Sequence, residues 1–403
     1  MADLTKDRLG DPHRIARASR YASPENGGDA LPLVYGDLTT IQGVERGVWR
    51  CPKIDTAGAG TYCVAGHAIH GSVKLFDGAG EIPAGNYTLN LANDFQGQGV
   101  IATAAFSAAP SQFVEAIGKG KKDASGALIE NPVRAAEDLM VNVWGFSARD
   151  IDPRALSFAV AAAAGYKAAG VIQEDRSPAD VLTELLGDFL GRFEVDPFGR
   201  LRVVLAGAET GTLYPVKALP SFDLASVEAR VTRDSVVNQV PLLYGKNFSP
   251  LDGRMKRHDG GEATRDAASQ ALYGARLPAG GRLELHWVRD GAAAQAIQRR
   301  IVERFREPAR VLTIRDTTFR ALEAEGDDYV AFSVSWMRSA DLEPLINQIG
   351  QVISAEADLR EQALTLEIRD TGYFLTRARR LDGSWTLGGG TLLGAQRDTA
   401  LYA

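Results

Sequence analysis

Ser177-Pro178-Ala179-Asp180-Val181-Leu182-Thr183-Glu184-Leu185-Leu186-Gly187-Asp188-Phe189-Leu190 decides the fold class when read with the fifteen residues that follow it. Ser177 can accept from free N–H groups at a helix start, Pro178 suits the first helical position, and Asp180 sits in the positive first turn. Val181, Leu182, Leu185, Leu186, Phe189 and Leu190 recur at helical spacing and give one broad apolar face. That face needs a partner. Arg192-Phe193-Glu194-Val195, the turn Asp196-Pro197-Phe198-Gly199 and Arg200-Leu201-Arg202-Val203-Val204-Leu205 supply one, as a hairpin with a Pro/Gly turn. Helix plus hairpin predicts an α+β unit.

Upstream, Asn131-Pro132 opens a helix reaching about Trp144, and Asp152-Pro153 opens an alanine-rich one reaching about Ala163. Before these, residues 31–109 read as short strands broken by turns, among them Gly47–Cys51, Thr61–Val64 and Ser72–Phe76 closed by Asp77-Gly78. This spacing predicts a small sandwich or barrel. Residues 1–30, rich in Asp, Arg, Ser and Gly, read as an arm that orders only against a partner. Downstream, strands resume through Val236–Val240 and Leu283–Val288. Asp290 then caps a helix with Ile297, Ile301, Val302 and Phe305 on one face, ending before Pro308. Residues 311–403 read as strands. The expected segments are an arm (1–30), a first β-barrel-like domain (31–115), an inserted α+β domain (116–220), a second β-barrel-like region with one helix (221–325) and a β-rich C-terminal region with a tail extension (326–403).

At 403 residues the chain holds two to four domains, by the loose prior of roughly 150 residues each. Hydrophobic residues at 45% and charged residues at 24% exclude a disordered or fibrous chain. The net charge of −6, with both signs interspersed, gives no dedicated nucleic-acid surface. The polar start, Met1-Ala2-Asp3-Leu4-Thr5-Lys6, lacks the pattern of a signal peptide, so cytoplasmic synthesis and retention are expected. Phe158–Ala164 is too short for the roughly 20 residues of a membrane span. Two cysteines exclude a disulfide-dense scaffold.

Four stretches, in order, resemble the hub family of long-tailed phages, which includes the central hubs of contractile tails and the upstream part of lambda-type tail-tip proteins. They are Leu31-Pro32-Leu33-Val34-Tyr35-Gly36-Asp37 with Val64-Ala65-Gly66-His67-Ala68-Ile69; the helix-plus-hairpin region from Asn131 to Leu205; Asp234–Val240 followed by Leu243-Tyr244-Gly245; and Ser269–Arg276 with Arg306-Glu307-Pro308 and Leu322–Asp327. One departure is that Gly326-Asp327 is followed by Asp328-Tyr329-Val330, one residue longer than the family's usual spacing. The resemblance implies an α+β, mostly β chain with two tail-tube-like barrel domains, an inserted helix-plus-hairpin domain and a β-rich C-terminal region. It further implies a structural virion protein, a tail-tip or baseplate hub that connects the tail tube to the tip and forms part of the DNA channel. The expected partners are copies of itself (a trimer, or a hexamer), the tail tube or distal tail protein, tip or fibre proteins and the tape measure. DNA is expected only in passage, stable membrane insertion is not, and assembly is expected in the host cytoplasm. Two barrels in each of three chains present six near-equivalent surfaces, which would adapt a sixfold tube to a threefold tip. The segment from Gly372, with Trp385 and Gly388–Gly390, is the expected attachment point for the next tip protein.

Candidate chemistry is sparse, and no catalytic, cofactor or metal residue is assigned. Cys51, Cys63, His67 and His70 gather zinc-type ligands within 20 residues, yet the spacing lacks a close cysteine pair and strand alternation sends them to different faces. A metal site, a Cys51–Cys63 disulfide and two plain buried thiols stay open as readings, the last preferred. Glu174-Asp175 could imitate a glycosidase pair, but adjacent carboxylates suit a solvated loop better. His13, His258 and His286 share no local signature, and no nucleophile motif is present. Gly58-Ala59-Gly60, Gly97-Gln98-Gly99 and Gly388–Gly390 read as turns, not phosphate loops. Lys119–Lys122 could face DNA, though a solvated loop is the preferred reading. The spread of Trp49, Trp144, Trp287, Trp336 and Trp385 suits separate cores or interfaces more than one ligand box. The expected activity is none; the rivals are a host-surface carbohydrate-binding tail protein and a tail-associated peptidoglycan hydrolase.

Overall fold

A computed structural model describes Leu9 and residues 16–39, 48–78, 80–195, 199–205, 217–219, 224–232, 235–248, 258–259, 263–316, 329–338, 344–358, 360–361 and 363–370. The chain is α+β and mostly β. It divides into two compact units, one of residues 1–205, 241–263 and 282–298, the other of residues 206–240, 264–281 and 299–403. His13, Leu322–Asp327, Trp385 and Gly388–Gly390 lie outside the described residues, as does the attachment segment from Gly372.

The first unit begins with β1 (Leu33–Tyr35), then β2 (Trp49–Arg50), β3 (Lys53–Asp55), β4 (Thr61–Ala65), β5 (Ile69–Asp77), β6 (Gly80–Glu81), β7 (Tyr87–Asp94), β8 (Val100–Phe106) and β9 (Val114–Lys121). Strands β2 to β9 form two four-stranded sheets, ordered β2-β9-β5-β6 and β3-β4-β8-β7. Val34, Trp49, Val64, Leu75, Ala104 and Val114 are buried in one cluster, where Trp49 donates from Nε1 to the carbonyl of Val64 at 2.9 Å. Gly58 and Gly60 carry φ of 60° and 98° in the β3–β4 turn, and Gly97 and Gly99 carry 68° and 103° between β7 and β8, so these glycines are turn residues as expected.

Residues 16–30 differ from the expected partner-dependent arm. Ala18 and Tyr21 are buried with Leu31, Ile54, Cys63 and Ile101, and Arg17 pairs with Asp175, so this stretch packs on its own chain. The apolar side chains that do this are too few and too irregular to show a period. Lys119–Lys122 also departs from the solvated loop. Lys119 and Lys121 lie in β9, and their ammonium groups pair with Asp37 at 3.5 Å and Asp138 at 2.7 Å. β9 itself runs across residues 115 and 116, where the sequence reading sets a domain boundary.

Three helices follow, and each start has its cap. In α1 (Pro132–Asp138), Asn131 accepts from the N–H groups of Val133 and Arg134; a wider π turn continues over Leu139–Val143. Asp152 accepts from Arg154 at 2.9 Å to start α2 (Pro153–Ala162). Ser177 accepts from Asp180 at 3.1 Å to start α3 (Pro178–Gly187), whose Val181, Leu182, Leu185 and Leu186 are buried. Between α2 and α3, β10 (Gly170–Ile172) pairs antiparallel with β1. The hairpin of β11 (Gly191–Val195) and β12 (Leu201–Leu205) forms directly after α3. The strand Leu242–Tyr244 pairs in parallel with Leu283–Leu285.

The second unit is built on a six-stranded sheet of β13 (Lys217–Leu219), β14 (Leu224–Thr232), β15 (Ala309–Asp316), β16 (Tyr329–Arg338), β17 (Pro344–Asp358) and β18 (Ala363–Asp370). The order is β13-β16-β17-β18-β15-β14. The two edge strands, β13 and β14, are separated in the chain by residues 220–223 only, so the sheet must curl until its edges approach, giving a nearly closed barrel. Its interior holds Leu219, Leu312, Ile314, Val330, Phe332, Val352, Leu364, Leu366 and Ile368. One sheet therefore joins strands on both sides of residues 325 and 326, another of the boundaries of the sequence reading. A short helix, α4 (Ala267–Tyr273), is capped by Asp266, whose side chain accepts from Ser269 at 2.8 Å. The fifth helix, α5 (Gly291–Phe305), has residues in both units and ends before Pro308 as expected.

Candidate functional site

One face of α3 carries a cluster of buried polar groups in the first unit. Glu184 and Asp188 lie one helical turn apart, between the apolar positions that fill the core, and so point at the same surroundings. Glu184 Oε2 lies 3.0 Å from Arg176 Nη1 and 3.1 Å from His286 Nδ1, while Oε1 accepts from Trp287 Nε1 at 3.1 Å. Burial alone would raise this carboxyl, but the His286 hydrogen bond and the charges of Lys246, His286 and Arg176 outweigh it and hold the pKa at about 2.

Asp188 behaves oppositely. It accepts from the Trp287 backbone N–H at 2.6 Å, yet burial pushes its carboxyl up to about 8. The N–H bonds from Trp287 and His286 offset only part of that rise, and the Glu184 charge adds to it. Asp188 also follows the last residue of α3, the negative end of the helix dipole. The pair therefore has one ionised and one protonated member near neutrality. Lys246 Nζ lies 3.4 Å from His286 Nδ1 and completes the cluster.

The strand end carrying His286 and Trp287 is held from several sides. Trp287 is 1% exposed; its carbonyl accepts from Ala169 at 2.8 Å, and its ring lies over Gly170, where any Cβ would come within 2.5 Å of the indole. Tyr35 packs its ring 6.5 Å from that of Trp287 and donates to Asp138 Oδ2 at 2.6 Å. Both Glu184 carboxylate oxygens are engaged, Oε2 by Arg176 and His286 and Oε1 by Trp287. The cluster is thus a tie between α3 and the 286–288 segment.

The sequence candidates fall elsewhere. Cys51 and Cys63 are both buried free thiols in different hydrophobic clusters, and burial raises both pKa values. His67 accepts from the Val34 N–H through Nε2 at 2.9 Å and turns Nδ1 to the Ala68 carbonyl; burial lowers it to about 4, so it is a neutral core histidine. His70 is exposed on β5, whereas His67 is buried in the bend before that strand, so the two histidines do not converge. Among the described residues no group of three metal-type ligands converges. Asp175 is engaged with Arg17 while Glu174 is exposed, so the adjacent carboxylates form no cleft pair. No described helix is long and apolar enough to cross a membrane. The α3 cluster escaped the sequence reading; its one signal was an acidic pair at i and i+4 inside a run of core leucines.

A mostly β chain of two units, with a capped helix-plus-hairpin in the first and a nearly closed six-stranded sheet in the second, defines the class. No protein-family model matches the chain, and no curated protein does. Among solved structures, a chain of the virion of a native gene transfer agent particle matches with a TM-score of 0.50 at 14% identity, covering 91% of this chain and 90% of that one. A tail protein from Neisseria meningitidis matches with a TM-score of 0.36 at 11% identity over 73% of this chain and 82% of that one. The prophage MuSo2 43 kDa tail protein from Shewanella oneidensis gives 0.32 at 11% over 84% and 87%. The first of these establishes a shared fold along nearly the whole chain.

Proposed function

We propose that this chain is a structural virion protein of a phage-type tail, acting as the hub that joins the tail tube to the tip and docks tip or fibre proteins. The observation that carries the reading is the fold shared with a gene transfer agent virion chain over 91% of this chain. The internal chemistry agrees with it: the charge cluster on α3 is spent on holding α3 to the 286–288 segment. Large apolar side chains remain available on each unit, Phe113 and Phe158 on the first and Trp336 and Ile353 on the second, with Phe158 72% and Trp336 57% exposed. Such side chains are what assembly interfaces bury.

In this reading the protein works without catalysis, in the virion, as a homotrimer around a channel that DNA crosses in passage. Light scattering on the purified chain tests the symmetry. A particle of three times 43.2 kDa supports the hub, whereas six copies would point to a tube-type ring and contradict it. A zymogram on host cell walls tests the absence of hydrolysis; clearing that vanished in Glu174→Gln would overturn the non-enzymatic reading.

A further inference from the structure

The Arg289 guanidinium is a buried charge of the first unit outside the α3 cluster. Its stem is partly exposed, but all three guanidinium nitrogens are shielded from solvent, and none has a hydrogen-bond acceptor among the described residues. Burial lowers its pKa to about 9, still above neutrality, so the group stays charged. A buried, unpaired guanidinium destabilises the fold unless it gains a partner. Nearby groups do not relieve that cost. The next residue, Asp290, accepts from the Ala293 N–H at 2.9 Å and so caps α5. Phe248 offers only its ring, whose centroid lies 5.7 Å from the Arg289 guanidinium carbon, and the same ring lies 5.2 Å from Lys246 Nζ. The field there is positive, because two cations flank one aromatic ring.

We propose that Arg289 is a receiving site for a single carboxylate, brought by a second protein chain or by a free carboxylate ion. The chemistry selects that class. A guanidinium presents a planar fork that a carboxylate matches with two parallel bonds. Only one charge is left to neutralise, since Lys246 already faces Glu184 through His286. A dianionic phosphate would therefore be under-neutralised and a carboxylate balanced. Because all three nitrogens are shielded, the side chain or its cover must shift for a carboxylate to reach the fork.

The probe is sodium acetate against sodium chloride at equal ionic strength, read as thermal melting of the full chain and of Arg289→Met. Acetate is expected to raise the wild-type melting temperature by about 2 °C over chloride, by mass action on the folded state, and to leave Arg289→Met unchanged. Arg289→Lys, which keeps the charge but loses the fork, is the second variant if the first fails to fold; it should keep less than half the shift. Light scattering over a concentration series separates the sources. If a second copy brings the carboxylate, acetate competes with self-association, and Arg289→Met weakens it at least tenfold. If a free ion is the ligand, the mass is indifferent to both. Equal melting in acetate and chloride, together with unchanged association in Arg289→Met, overturns the proposal.

Discussion

Replacing Asp188 by Asn tests the account of the α3 cluster directly. The folded protein holds the Asp188 carboxyl at about 8 from an ordinary 3.8, so between those values the folded chain keeps a proton that the unfolded chain releases. By linkage, stability falls as pH rises through that window, and the full penalty is present above it. A rise of about 4 units, at about 1.4 kcal/mol each, bounds the penalty at about 6 kcal/mol; coupling to Glu184 makes about half that a reasonable expectation. Asn keeps an oxygen to accept the Trp287 N–H and carries no charge to bury. The assay is urea unfolding of both proteins at pH 5 and pH 8.5. Variant-minus-wild-type stability should grow by about 2 to 4 kcal/mol between the two, since Asp188 alone differs. A difference that stays flat across that range would refute the buried, protonated assignment.

Three further outcomes are expected. Trp49→Ala removes a side chain 1% exposed together with its bond to Val64, and should cost about 3 to 5 kcal/mol in urea unfolding. Gly170→Ala would set a Cβ 2.5 Å from the fixed Trp287 ring, and should cost about 1 to 3 kcal/mol and shift the tryptophan fluorescence. Cys51 and Cys63, buried with raised pKa values, should react with a thiol reagent only on unfolding; fast labelling of the native chain would contradict their core placement.

Much of the helical segment was legible because its signals are local. Asn131, Asp152, Ser177 and Asp290 each cap the helix they announce, and the prolines at 132, 153 and 178 fall at first helical positions. A cap acts within one turn, so a sequence states it completely. The stretch over residues 16–30 was misread for the opposite reason: Ala18 and Tyr21 are held by Ile54, Cys63 and Ile101, far away in sequence. The π turn after α1 has no local signal that was read.

The sequence by itself determined the fold class, the helix starts, the hairpin after α3 and the turn role of Gly58, Gly60, Gly97 and Gly99, since each rests on period, capping or φ within a few residues. Tertiary structure alone decided where charge could be buried. Glu184 and Asp188 share a chemistry and a helix face, yet one sits beside Arg176 and His286 and the other against a backbone in the core, so their proton affinities part by several units. It also decided that β13 and β14 close on a sheet whose other strands begin about ninety residues later, because strand pairing is a long-range contact that no local pattern specifies.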